Sequence, residues 1–269
     1  MKIFLVQGFW QKIITNNMKT QITIIGFGIM GKAIAQSLLS YNSIIKIFIV
    51  DRNNSNFDIT QKNIEKSDFI ILAVKPQDAK EAIQKFKFYF KKHTILISIM
   101  AGVSIKKIAF LSGHKKILRM MPNLGLTIGE GIAAWKGSGL SKVEIKKSKD
   151  LINKITDNFE VKNEDEINKI TAISGSGPAY FFLLADSLIK VCESFGFTKA
   201  ESLKLVEKTF SASAILGKED NYSALIKKVA SKKGTTEAAL KVFKKENFNK
   251  IILKAVHAAY KRANEINNE

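Results

Sequence analysis

Thr171–Asp186 reads TAISGSGPAYFFLLAD, and the chain is built differently on its two sides. Upstream, short β-branched runs alternate with helical patterns; downstream, only helical patterns remain. Within the stretch, Ser174-Gly175-Ser176-Gly177 supplies two residues tolerant of positive φ and two hydroxyls suited to an N-cap. Pro178 follows with the fixed φ of a first helical turn. A helix start is therefore predicted here, with unpaired N–H groups and little side-chain bulk, where an anion can reach the backbone. The same small residues also suit close helix–helix packing. The expected architecture is α/β: a Rossmann-type, doubly wound parallel sheet over 18–162, then an all-α domain over 163–269.

At 269 residues the chain exceeds one typical domain, and burial of roughly three quarters of its unfolded surface needs no metal or disulfide staple. No metal site is expected. The single cysteine, Cys192, lies in a helical apolar pattern and points to a reducing, cytoplasmic setting. The net charge of +19 raises nucleic acid as a partner, but the lysines are spread over nearly every helix without interleaved aromatics. A solvated basic surface that favours small anionic substrates is the expectation, with neither nucleic acid nor membrane as partner. No apolar run reaches the about eighteen residues of a membrane span. Residues 1–17, MKIFLVQGFWQKIITNN, have neither a secretory core with a cleavage site nor the arginine and serine of a mitochondrial signal. They are read as an extension outside the fold, which opens at Met18.

Ile22–Ile25 is a β-branched run leading into Gly26-Phe27-Gly28-Ile29-Met30-Gly31 and then a helical pattern. Strand, glycine turn and helix in that order let a pyrophosphate sit over free N–H groups. A second strand, Lys46–Val50, ends at Asp51, twenty residues past Gly31, where a ribose-binding acid falls. Asp51 suits the free 2′-hydroxyl of NAD and Arg52 the 2′-phosphate of NADP. NADPH is the expected cofactor, with NADH tolerated. A third strand, Phe69–Val74, is closed by Lys75-Pro76, placing Lys75 at the ligand edge or simply in solvent. Asp78–Lys91 reads as an amphipathic helix. The next strand, Thr94–Ile99, runs into Met100-Ala101-Gly102, small enough for a nicotinamide ring to approach. Ile117–Met121, stopped by Pro122, and Thr127–Ala134 are the last two strands expected.

In the second half, helical spacing covers Ile167–Ile173, Ala179–Phe195, Lys199–Ile215, Tyr222–Val229 and Phe248–Ile266. Runs such as Tyr180-Phe181-Phe182-Leu183-Leu184 are apolar on more than one side, which points to burial against a second subunit and hence a homodimer. In Ser231-Lys232-Lys233-Gly234-Thr235-Thr236-Glu237, Gly234 permits a tight turn, and Thr235 or Thr236 can cap a helix opening at Glu237. A carboxylate could be held there; an ordinary capped helix would look the same.

GFGIMG, AVKP (Ala73–Pro76), MAGVSI (Met100–Ile105), RMMPN (Arg119–Asn123), SGSGPAY and SKKGTTEAAL together resemble the pyrroline-5-carboxylate reductase family, from about Met18 onward. The resemblance implies an NAD(P)-binding domain, a helical dimerisation domain, and an active site between them completed by the partner subunit, in a dimer or a higher oligomer of dimers. It implies that Gly26, Gly28, Ile29, Met30 and Gly31 hold the cofactor pyrophosphate. Ala73, Val74, Lys75, Pro76, Met100 and Ala101 would line the nicotinamide ribose. Ser231, Gly234, Thr235 and Thr236 would hold 1-pyrroline-5-carboxylate, with Thr236 as hydrogen-bond partner to the imine nitrogen. Two departures stand out: Lys232-Lys233 replaces the family's Pro-Gly, and Leu124-Gly125 replaces its Thr-Pro. A β-hydroxyacid dehydrogenase would carry a lysine near position 175, and SGSGPAYFFLLAD has none. A non-catalytic, nucleotide-sensing relative is the alternative from another class.

Overall fold

The computed structural model describes residues 19–51 and 57–268; the extension 1–17, Met18 and Arg52 lie outside them. The first half runs β1 (Thr20–Ile25), α1 (Ile29–Leu39), β2 (Ile45–Val50), α2 (Phe57–Lys66), β3 (Phe69–Leu72), α3 (Ala79–Phe86), β4 (Ile95–Ser98), α4 (Ile105–Ser112), β5 (Ile117–Pro122), β6 (Ile132–Ser138), α5 (Lys142–Ile152) and β7 (Asp157–Glu160). These strands form one sheet in the order β2-β1-β3-β4-β5-β6-β7. Neighbours pair in parallel except β5 with β6. The β-branched runs are buried on both faces of the sheet. Ile22, Ile24, Ile71 and Ile97 enter one core, and Ile25, Ile70, Leu72 and Leu96 the other. Near-continuous apolar strands are what burial on two faces requires. The order reverses between β1 and β3, which opens a crevice at their carboxyl ends.

Four expectations need correction here. The strand predicted to Val74 ends at Leu72, because Pro76 opens a 3₁₀ turn (Pro76–Asp78) and Lys75 is its extended N-cap. Pro122 closes the β5 ladder opposite Ala133 rather than stopping the strand before it. Thr127–Gly131 is not strand. Leu124–Ile128 is a 3₁₀ turn ended by Gly129 at φ +78°, so β6 begins only at Ile132 and runs back antiparallel. The sheet is therefore mostly, not wholly, parallel. Neither α4 nor β7 is among the predicted elements.

The second half is helical: α6 (Asp165–Ile170), a π turn (Thr171–Gly175), α7 (Gly177–Ser194), α8 (Lys199–Leu216), α9 (Tyr222–Val229), α10 (Thr235–Lys245) and α11 (Phe248–Glu265), closed by a 3₁₀ turn at Ile266–Asn268. The predicted helix start at Ser174–Gly177 is met by α7, which begins at Gly177 with Pro178 in its first turn, and a π bulge at Thr171–Gly175 leads into it from α6. Ser176 N–H donates to the Thr171 carbonyl, and Ser176 makes no side-chain cap. Neither Gly175 nor Gly177 takes positive φ. A Cβ on Gly175 would stand 2.8 Å from the Met121 methyl, the far end of a flexible side chain. The bulge joins α6 and α7 into a 30-residue stretch, Asp165–Ser194, that is long and apolar enough by length and composition to cross a membrane. No run of that kind is visible in the sequence, where Ser174–Pro178 divides it. Among the described residues after Ala172, only Gly177, Ser202, Val206 and Ala263 are buried. Phe181, Phe182 and Leu183 are each more than 60% exposed. In a single chain this half has no core of its own.

Candidate active site

The crevice between β1 and β3 is a cleft of about 500 Å³ lined by Gly26, Phe27, Gly28, Asp51, Ala73, Val74 and Lys75, with Gln77, Asp78, Glu81 and Lys85 beyond. Its floor depends on two close approaches. Gly26 sits at φ +98°, and a Cβ there would come within 2.7 Å of the Ala73 carbonyl. A Cβ on Gly31 would run into the Gly26 carbonyl oxygen, so α1 can lie against the turn only with glycine at that position. Gly28 differs: nothing lies within 4 Å of where its Cβ would be. Its missing side chain leaves room on the cleft side rather than inside the protein.

Gly28 is also the N-cap of α1, and the first intrahelical bond runs from Lys32 N–H to its carbonyl at 2.9 Å. The N–H groups of Ile29, Met30 and Gly31 thus have no acceptor within the helix. A roomy approach, orphan donors and the positive end of a helix dipole fit the pyrophosphate of a dinucleotide. Asp51 follows β2 and reaches the cleft. Met100 and Ala101 follow β4, the next strand beyond β3. The Met100 side chain is buried in the core, so only its backbone can meet a ligand.

The second cluster lies on the helical half. Gly234 N–H donates to the Ser231 carbonyl at 3.0 Å, closing a turn with Lys232 and Lys233 in its middle. Lys233 takes φ +59°, a conformation in which a side chain is strained and glycine is not. The Lys232-Lys233 pair therefore follows a path that suits Pro-Gly, the pair usual in the family it resembles. The N-cap of α10 is Gly234, not Thr235 or Thr236, which occupy the helix's first two positions. The helix's first intrahelical bond joins Ala238 N–H to Gly234 O, leaving Thr235, Thr236 and Glu237 with orphan N–H groups. Glu237 folds back to accept from Lys233 N–H and pairs with Lys241. Those contacts, the Lys233 N–H first, hold its carboxyl below the usual carboxylate range.

The cleft draws its lining from the first half alone. No hydrogen bond among the described residues joins Ser231–Thr236 to Gly26–Ala101. Gln77, Asp78, Glu81 and Lys85 carried no sequence signal as cleft residues, since they belong to no motif and reach the crevice only because α3 follows β3 at the reversal of strand order.

A doubly wound sheet with a glycine-floored crevice at its order reversal defines the dinucleotide-binding class of α/β proteins. Residues 21–102 match a family model described as NADP oxidoreductase, coenzyme F420-dependent, and residues 164–266 match pyrroline-5-carboxylate reductase dimerisation. The pyrroline-5-carboxylate reductase of Aquifex aeolicus is 32% identical, with 91% of this chain and 97% of that protein covered. That of Haemophilus influenzae is 31% identical at the same coverage. The crystal structure of Plasmodium falciparum pyrroline carboxylate reductase with NADP bound superimposes with TM-score 0.82 at 28% identity, over 93% of this chain and all of that one. The chain belongs to the pyrroline-5-carboxylate reductase family.

Proposed function

We propose that this chain reduces 1-pyrroline-5-carboxylate to L-proline with NADPH, as a cytoplasmic homodimer whose two units divide between residues 162 and 163. One observation carries the reading: a dinucleotide crevice in the first half and an anion-competent helix start, Thr235–Glu237, in the second, within a chain of this family. The almost coreless helical half supports the dimer, because apolar area of this extent is stabilised only by a second surface. A partner's Ser231–Thr236 completes the site that the single chain leaves in two parts.

In this reading Gly26, Gly28, Ile29, Met30 and Gly31 bind the pyrophosphate. Asp51 and Arg52 bind the adenine-side ribose and its phosphate, and Ala73, Val74, Lys75, Pro76, Met100 and Ala101 the nicotinamide side. When bound, the dihydronicotinamide supplies the hydride that C5 of the protonated imine accepts. Ser231, Gly234 and the N–H groups of Thr235 and Thr236 hold the substrate carboxylate. Thr236 Oγ1 bonds the ring nitrogen; a threonine hydroxyl is too weak an acid to titrate, so it orients rather than protonates. Holding the two rings at near-attack distance and excluding water supplies much of the rate. The test is NADPH oxidation by the purified protein on addition of 1-pyrroline-5-carboxylate, with proline identified as product. NADPH binding without turnover would make it a nucleotide-binding relative instead.

A further inference from the structure

Among the described residues, the one charged side chain buried in the sheet lies outside both clusters. Arg119, in the middle of β5, is 2% exposed, although its neighbours on the same face of the strand, Ile117 and Met121, are apolar. Its Nη1 donates to Glu164 Oε1 at 2.9 Å and its Nη2 to Asn168 Oδ1 at 2.6 Å, while its Nε is buried without a partner. Burial lowers the pKa of the guanidinium, and the bond and charge of Glu164 oppose that shift. A buried, incompletely paired arginine is poor value as stabilisation compared with a well-packed apolar residue. What it supplies is a rigid planar fork that fixes the groups it holds.

Those groups reach several of the elements that meet between the halves. Glu164 Oε1 also accepts from Ile105 N–H at 2.8 Å, at the start of α4. Asn168, in α6, passes the chain on to Asn264 Oδ1 at 2.8 Å, and Asn264 bonds the Tyr260 carbonyl within α11. The end of α11 returns to the same turn: Asn267 Oδ1 accepts from Ser104 N–H at 3.1 Å, and a Cβ on Gly102 would stand 2.7 Å from the Ala263 carbonyl. Arg119 thus ties β5 to α6 and α11, and through Glu164 to the turn that begins at Met100 and Ala101.

We infer that Arg119 is a positioning residue for hydride transfer, setting the nicotinamide-side turn against the helical half through Glu164 and Asn168. This rests on the function proposed above. Either subunit's Ser231–Thr236 is carried on helical elements, so a change of angle at this joint moves the imine relative to the cofactor. The pyrophosphate cleft, entirely within the first half, is left untouched. The signature is therefore a loss in kcat with cofactor affinity retained.

The experiment compares Arg119→Met and Arg119→Lys with the parent in full-length protein, measuring melting, NADPH Kd by fluorescence titration, and kcat at saturating imine. Displacement of the reacting atoms by about 1 Å costs up to about a hundredfold. Arg119→Met is expected to lose about tenfold to a hundredfold in kcat, with NADPH Kd within about twofold of the parent and Arg119→Lys recovering part of the loss. If neither variant folds, Asn264→Ala, at the outer end of the chain of bonds, decides by the same criterion with a severalfold fall in kcat. Parental kcat in a folded variant, or a loss confined to NADPH affinity, overturns the inference. A parent enzyme that fails to reduce the imine would refute the proposed function instead, so the two failures are distinguishable.

Discussion

Gly28→Ala separates the ligand role of the glycine turn from its structural one. Gly28 has φ −71° and ψ −167°, extended backbone open to any residue, and free space where a Cβ would stand. Alanine is a poorer N-cap than glycine by several tenths of a kcal/mol, while the restricted unfolded chain gains about 0.4–1 kcal/mol. The two nearly cancel, so stability should stay within about 0.5 kcal/mol, or about 2 °C in Tm for a chain of this size. Binding should not be spared. A methyl group over the N–H groups of Ile29, Met30 and Gly31 displaces the pyrophosphate and removes about two charge-assisted hydrogen bonds, each worth about 1.5–3 kcal/mol. NADPH Kd should rise by at least about a hundredfold. Gly31→Ala is the control: its Cβ meets the Gly26 carbonyl oxygen, so it should lose about 1–3 kcal/mol of stability along with binding. Fluorescence titration and thermal melting of both variants decide the matter. Parental NADPH affinity in a folded Gly28→Ala protein would mean that the phosphates lie elsewhere.

Thr236→Ala should lower kcat about tenfold to a hundredfold through loss of one bond to a group changing charge, with Thr236→Ser recovering most of it. Because Gly234 and not a threonine caps α10, Tm should barely move; near-parental turnover would leave Thr236 without a catalytic task. Lys233→Gly relieves a left-handed lysine worth about 1–2 kcal/mol but adds unfolded-chain entropy, so a net gain of about 0.5 kcal/mol is expected in urea unfolding. A destabilised glycine variant would mean that the Lys233 side chain has a structural contact. Glu144, held at about 2 by Lys116 first and by the Ser141 N–H it caps, contributes stability above its ordinary value of 4.5, and this is lost as pH falls towards 2. Glu144→Gln should therefore flatten the fall of the urea midpoint between about pH 4.5 and 2, removing about 1 kcal/mol of pH dependence.

How legible each feature is in the sequence follows from how local its cause is. The Gly26–Gly31 turn and Asp51 stand out because strand, turn and helix are contiguous and the second strand has a fixed length. The π turn before Gly177 does not, because SGSG reads the same whether the helix it opens follows a loop or runs on from another helix. DNFE at β7 contains one apolar residue and no alternation, as an edge strand with little to bury permits. Arg119 interrupts an apolar run as a surface charge would, and the partners that explain it are 45 and 49 residues away. The turn at Ser231–Gly234 is the intermediate case. Its residues are recognisable by resemblance, but that its turn survives with lysine in place of glycine is a matter of backbone geometry alone.

The nearly coreless helical half also bears on how much of this protein a cell must hold. Helices α7 and α8 leave Phe181, Phe182, Leu183, Leu205 and Ile215 in water in a single chain. Each such side chain forgoes about 1.5–3 kcal/mol until something covers it. When the cover is a second copy, mass action enters the folding equilibrium, and chain concentration becomes a term in the free energy of the native state. Dilution then acts on such a protein as a denaturant acts on others, and scarcity of the chain lowers the lifetime of each molecule as well as their number.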